Sequence, residues 1–434
     1  MVAFCTILPL PSASQTFYLL DNFAPTTASG IQAHDVSPNG AYTAGSFDSS
    51  ATSEREPYVW STAGGFVELD PTNSLDGTLR ATSVANDGTK AVLHQQSLSG
   101  EEHWWVWEQG VGLALLDPGF PASFEATAQI PWNISFYSSA IGAGITGDGS
   151  TIFAAWRYGA DGTPQQIRHA LFVGGSLVPT SIGDVPVPRH PTTALACTSS
   201  TISCWRTGGL SFSGDGSTIV GQNVVIGSGS SYRAAAWNSG GSLIYELPTP
   251  TYGQTVATTV SDNGQYAAGV SAVVGFDDPL VFEIGTGNPT NFAQPQRYTG
   301  PNQYAPCGMA GISDDASIVV GECVFYTVVG SPPTRGWIFD ESFSTGISYQ
   351  LPLWTTWHLG LSGEGINDYM VPRALSADGA VIAGNTQRTD GTPTAFVLDA
   401  PEPGFAVGLA IGGMLLAAYS PARRSDFGCV RSRL

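Results

Sequence analysis

Asp148, Asp215, Asp262, Asp314 and Asp315 stand in short segments rich in oxygen ligands, the residue type and setting that calcium requires. Each segment offers only one or two carboxylates, however, and no DxDxDG loop occurs, so these residues read first as turn formers. Nucleophilic chemistry has less support. GDGST recurs at 147–151 and 214–218 with Ser beside Asp, but there is no GxSxG elbow, and six His are scattered without an HExxH. A pair of carboxylates for glycoside hydrolysis can be assembled by any fold and cannot be located from spacing alone. No catalytic residue, cofactor or metal site is assigned on this basis.

Two aromatic clusters could bind a ligand. In HWWVW (103–107), strand alternation puts Trp105 and Trp107 on one face and Trp104 and Val106 on the other, which favours core packing over a sugar-stacking platform. In LPLWTTWHLGLSGEG (351–365), Trp354, Trp357 and His358 fall in an insertion between repeats, where a partner could reach them or the loop could fold onto a sheet edge.

The elements that must position such residues are repeats. Seven near-copies of one stretch recur: VSPNGAYTAG (36–45), VANDGTKAVL (84–93), ITGDGSTIFA (145–154), FSGDGSTIVG (212–221), VSDNGQYAAG (260–269), ISDDASIVVG (312–321) and LSADGAVIAG (375–384). In the first, Ser37 and Pro38 suit the opening of a type I turn, and Gly40 can take the left-handed conformation that closes a three-residue hairpin loop with a bulge. An aromatic-rich strand follows each hairpin, as in PYVWSTAGGFVELD (57–70), usually with a turn and a further strand. The seventh copy has only TAFVLDAP (394–401), while TFYLLDN (16–22) stands alone before the first hairpin. Four strands per repeat, seven repeats and an N-terminal segment that completes the last predict an all-β, seven-bladed β-propeller closed by residues 16–22, with a sandwich as the alternative. Gly at 53 residues and only 12% charged residues agree with it, as does a single repeat phase over 15–400.

The ends differ. Residues 1–14 carry an apolar run that reaches small residues near position 13, like a secretory signal peptide, without a preceding Lys or Arg. Residues 401–424 hold Pro401, Glu402 and Pro403, an uncharged stretch from Gly404 to Tyr419, then Arg423 and Arg424; residues 425–434 trail behind. A hydrophobic helix is expected there, held by a cytoplasmic basic end. This order resembles the PEP-CTERM sorting signal of exported proteins of Gram-negative bacteria. The resemblance implies processing by an exosortase-type membrane enzyme, retention at the inner membrane before processing, and a destination at the cell surface or outside the cell; the alternative is a plain, uncleaved anchor. The body is similar to HAF-type extracellular repeats, through HALF (169–172) and TAF (394–396).

A net charge of −19 argues against nucleic acid and anionic membrane surfaces as partners. Of six cysteines, Cys197, Cys204, Cys307 and Cys323 remain in the repeat domain, an even number that favours disulfides in an exported chain over zinc. A three-residue loop at 314–316 makes positions summing to 630 oppose one another, which pairs Cys307 with Cys323 and leaves Cys197 and Cys204 to close a short loop. The functional expectation is a surface or matrix protein that binds or scaffolds, with extracellular polysaccharide or another surface protein as partner. The alternative is an extracellular carbohydrate-active enzyme on the same fold.

Overall fold

The computed structural model describes residues 16–70, 75–98, 102–116, 136–160, 168–174, 210–225, 231–239, 243–247, 254–273, 276–286, 289–291, 307–324, 334–340, 348–351 and 366–399. The described chain is all-β, with one 3-10 turn at Leu20–Asn22. After β1 (Thr16–Leu19), the first unit is β2 (Ala28–Val36), β3 (Thr43–Ser49), β4 (Arg55–Ser61) and β5 (Gly65–Glu68); the second is β6 (Thr78–Val84), β7 (Lys90–Gln96), β8 (Glu102–Glu108) and β9 (Gly112–Leu115). The third unit contributes β10 (Phe136–Ile145), β11 (Ile152–Ala160) and β12 (Arg168–Gly174), and the fourth β13 (Ser211–Phe212), β14 (Thr218–Val225), β15 (Ser231–Asn238) and β16 (Leu243–Glu246). Then come β17 (Gln254–Val260), β18 (Tyr266–Val273), β19 (Phe276–Glu283) and β20 (Pro289–Asn291), followed by β21 (Cys307–Ile312), β22 (Ile318–Val324), β23 (Thr334–Asp340) and β24 (Ser348–Gln350). The last unit is β25 (Ile366–Leu375), β26 (Val381–Arg388) and β27 (Pro393–Asp399). Within each unit the strands form an antiparallel meander, and the first two units are joined by a single parallel pair, Arg55 with Thr78.

The repeated tetrapeptide is one hydrogen-bonded device. Gly40 N–H donates to the Ser37 carbonyl at 2.8 Å, closing a type I turn, and Gly40 has φ +73°. The Ser37 hydroxyl donates to Asn39 Oδ1 at 2.8 Å and accepts the Tyr42 N–H at 3.0 Å, while Asn39 Oδ1 also accepts the Ala41 N–H. Thr146 with Asp148, Ser213 with Asp215, Ser261 with Asn263, Ser313 with Asp315 and Ser376 with Asp378 repeat it. Ala85 lacks the hydroxyl, and there Thr89 Oγ1 donates to Asp87 Oδ1 at 2.7 Å instead. The donors from Thr146 and Ser150 hold the Asp148 carboxyl down at about 2. Turn chemistry therefore accounts for Asp148, Asp215 and Asp315.

Register corrects one expectation. Ser313 N–H donates to the Ile318 carbonyl, so four residues rather than three lie in the loop and nearby partners sum to 631. A bulge between Met309 and Gly311 then takes one residue back, and Cys307 faces Cys323. Two offsets thus produce the pairing that a shorter loop without a bulge had suggested. Cys323 is disulfide-bonded. The same bulge recurs between Ala33 and Asp35, Ala81 and Ser83, Ala257 and Thr259, and Pro372 and Ala374. The last glycine of the motif allows close strand approach at this point: a Cβ on Gly45 would meet the Gln32 carbonyl at 2.0 Å and the Tyr58 ring beside it.

The turns are also bonded to one another in sequence. Asn39 N–H reaches Asn86 Oδ1, Asn86 N–H the Gly147 carbonyl, Gly147 N–H the Gly214 carbonyl, and Asp215 N–H the Asp262 carbonyl. Asn263 N–H reaches Asp314 Oδ1, Asp314 N–H the Ala377 carbonyl, and Ala377 N–H returns to Pro38. The circuit ends on the turn where it began.

Core clusters fill the junctions between successive units. Val59 and Leu79 share one, Trp104 and Ile145 another, Val220 and Leu280 a third, Val281 and Val319 a fourth, and Val320 and Leu398 a fifth; Phe153 stacks on Phe212 at 5.1 Å. Unit seven meets unit one through Ala383, Ala395 and Val397 against Ile31, Val36 and Trp60. β1 pairs antiparallel with β27, Thr16 opposite Asp399 and Leu19 opposite Phe396, as the outermost strand of the last sheet. Leu19 packs toward the sixth unit and Tyr18 toward the first, which explains why the segment is apolar on both faces. The strand is shorter than expected: Leu20 is fully buried as the chain turns, and Asp21 pairs with Arg388.

Trp104 and Val106 pack toward the third unit, Trp105 and Trp107 toward the first, and Trp105 Nε1 donates to Gln95 Oε1 at 2.8 Å. HWWVW is core. The expected segments 1–14, 401–424 and 425–434, with the C-terminal hydrophobic helix, lie outside the described residues. Among the described residues no helix is long and apolar enough to cross a membrane.

Candidate functional site

The turns that form the hydrogen-bonded circuit crowd its centre. A Cβ on Gly147 would lie 3.3 Å from Pro38 Cγ, and one on Gly214 would lie 3.0 Å from the same atom, so the first turn touches both the third and the fourth. Above this floor is a cavity of about 160 Å³, enough for several waters or a small polar group. Its wall comes from the ends of β2, β6, β10 and β13, and its polar lining includes Thr82, Ser83, Ser211, Asp35 and Asp262.

Asp35 sits just past the bulge of β2, two residues before the turn serine. Its Oδ2 accepts the Val84 N–H of the next unit at 3.1 Å. Ser83, at the matching position, accepts the Ile145 N–H in the same way at 3.2 Å. One oxygen of Asp35 therefore ties two inner strands together, a role that a serine fills equally well one unit later. What the serine lacks is the second oxygen and the charge. Burial pushes the Asp35 carboxyl up to about 7 against the hydrogen bonds from Val84, Val36 and Ser83.

Asp262 enters from the fifth turn. It lies close over Gly214, where an added Cβ would be 2.4 Å from Oδ1. Burial raises its carboxyl to about 7 as well, and the charges of Asp35 and Asp314 add to the shift against a hydrogen bond from the Gly214 backbone. Burial thus pushes both carboxyls of the cavity up toward neutrality. Chemically the cavity can donate and accept hydrogen bonds from carboxyls and hydroxyls, and near neutral pH one carboxyl can be an acid while the other is a base.

Sequence reasoning took Asp262 for a turn former and passed over Asp35. Alignment of the seven repeats on the turn serine carries the missing signal. The column of Asp35 otherwise holds Ser83, Gly144, Ser211, Thr259, Gly311 and Ala374, so Asp35 is its one charged residue. Trp354, Trp357 and His358, Cys197 and Cys204, and Pro401, Glu402, Pro403, Arg423 and Arg424 lie outside the described residues. None of them is placed at the cavity.

No family model matches the chain, and no curated protein matches it. Among solved structures the chain is similar to a puromycin hydrolase, an S511A mutant complexed with PGG, at 10% identity and TM-score 0.49, covering 87% of this chain and 52% of that one. An oligogalacturonate lyase from Vibrio parahaemolyticus is 11% identical with TM-score 0.45, covering 90% of this chain and 98% of the lyase. The Dos1 propeller is 11% identical with TM-score 0.39, covering 87% and 78%. The chain spans about half the length of the puromycin hydrolase and 66% of TolB from Acinetobacter baumannii. None of these likenesses carries an activity to this chain.

Proposed function

We propose that the chain is a seven-bladed β-propeller, closed by its N-terminal strand, that works outside the cell as a binding protein. The circuit of turn-to-turn hydrogen bonds carries this reading, because it makes a rigid floor under a cavity whose walls come from several units. Rigid scaffolds that converge polar groups on one concavity are suited to binding. Export rests on the signal-like residues 1–14 and on the PEP-CTERM-like order of Pro401, Glu402, Pro403, Arg423 and Arg424, which would be read by an exosortase-type enzyme. Extracellular polysaccharide or another surface protein is the partner class this destination favours.

A second reading, a carbohydrate-active enzyme, is favoured by one observation. Asp35 and Asp262 share a cavity, and both carboxyls stay partly protonated near pH 7, as a general acid for glycosidic cleavage must. Glycan-array binding with a parallel hydrolysis assay on residues 15–400 separates the two. Binding without turnover, weakened in Asp262→Asn, is expected. Release of reducing ends that is lost in Asp35→Asn or Asp262→Asn would replace the binding reading with the enzymatic one, and no glycan response would leave the surface-protein partner to be sought by crosslinking.

A further inference from the structure

Arg80 differs from the other described cations. Arg55, Lys90, Arg233, Arg373 and Arg388 each face a carboxylate within 4.0 Å, whereas among the described residues Arg80 forms no such pair. Its Nε is buried without a hydrogen-bond partner. Its cross-strand partner on β7 is His94, which is 8% exposed and whose Nε2 is likewise buried and unpartnered. Two orphaned ring or guanidinium nitrogens thus stand on directly opposed residues, and buried nitrogens normally have a partner.

The surroundings are positive. His34 of the first unit is held neutral, at about 3, by burial and then by the charges of Arg80, Arg55 and Arg373, although its Nε2 meets Ser46 Oγ at 2.9 Å. Arg55 is engaged with Asp48 Oδ1 and Gln32 Oε1, each at 2.9 Å, and its charge reaches Arg80. Glu102 supplies the opposing negative charge felt by both Arg80 and His94. In a chain of net charge −19, an arginine that no carboxylate among the described residues reaches within 4.0 Å is a local exception.

We propose that Arg80 and His94 form an oxyanion site, one that takes a carboxylate of an acidic sugar or a phosphate group on the face that β6 and β7 share, beside the Trp104 ring that packs against His94. A guanidinium edge suits a two-oxygen anion, and the His94 nitrogen supplies a further donor. The site is separate from the axial cavity and does not depend on how that cavity is used.

The test follows the imidazole signals of the full chain by NMR through a pH titration, with galacturonate, with inorganic phosphate, and with chloride at matched ionic strength. His94 titrates near 4 without an anion, held down by burial and Arg80. A bound oxyanion is expected to raise that midpoint by about one unit, equivalent to a tenfold preference for the charged ring. The arm that responds identifies the anion. Arg80→Met should abolish the shift, and Arg80→Lys should keep a weaker one, which guards against a variant that simply fails to fold. An unmoved midpoint in both arms at tens of millimolar, or a shift that persists in Arg80→Met, would overturn the proposal.

Discussion

The last unit is tied back to the start of the chain in two places, and the two contacts are built differently. At the outer edge β1 closes on β27 with apolar side chains on both faces, and Leu19, Leu20, Phe396 and Leu398 are all buried. At the centre Ala377 closes on Pro38 through one backbone hydrogen bond in a circuit of turns, with Asp35 and Asp262 kept close by. Hydrophobic burial is worth about 1.5–3 kcal/mol per side chain and four such side chains meet at the outer edge, whereas a hydrogen bond nets about 1 kcal/mol. The outer closure therefore carries stability, and the centre is free to hold polar groups that oppose it.

Deleting residues 16–22 should have the largest effect, because it removes β1, exposes the edge of β27 and frees Arg388 from Asp21. A loss of at least about 5 kcal/mol is expected from the buried leucines alone, against a small cost for trimming a free terminus. Urea unfolding of residues 15–400 and 23–400, compared side by side, gives the difference. Leu20→Ala, with a fully buried side chain, should cost about 2–5 kcal/mol in the same assay.

The centre should respond to pH in the opposite sense from ordinary salt-bridged carboxylates. Asp35 and Asp262 bind protons more tightly in the folded chain, at about 7, than an aspartate in the unfolded chain does, at about 4. Their contribution is thus most favourable below about pH 4 and is lost as pH rises through 7. Asp262→Asn should flatten the fall in melting temperature between pH 4 and 7; an unchanged slope would remove Asp262 from that account.

Single turns should be worth least. Ser376→Ala removes the hydroxyl that bridges Asp378 Oδ1 and the Val381 N–H and should cost about 1 kcal/mol. Ala316 takes φ +58° where the other turns have glycine, so Ala316→Gly should gain up to about 1 kcal/mol. Thermal melts of these two variants should move in opposite directions.

Much of this arrangement was legible because turn chemistry is local. Ser37, Pro38 and Gly40 specify a turn whatever surrounds them, and seven copies imply seven hairpins. The isolated TFYLLDN pointed to β27 by counting alone, since a fourth strand was missing there. The bulges were not legible: nothing in Met309, Ala310 and Gly311 marks an extra residue, which is set by the partner strand and by the glycine opposite. The cavity was equally hidden, because Asp35 and Asp262 are 227 positions apart and become neighbours only when the first and fifth units fold against the same cavity.

The claim that the N-terminal strand closes the ring is tested most directly by covalent trapping. Thr16 and Asp399 are register partners at the rim of the last sheet, and Thr16→Cys with Asp399→Cys should oxidise to an intramolecular disulfide that joins the ends of the described chain. The account predicts a closed species on non-reducing gels, still joined after proteolytic nicking of a loop, and an unfolding free energy raised by about 5 kcal/mol for so long a loop. Free thiols, or crosslinks only between separate molecules, would contradict it.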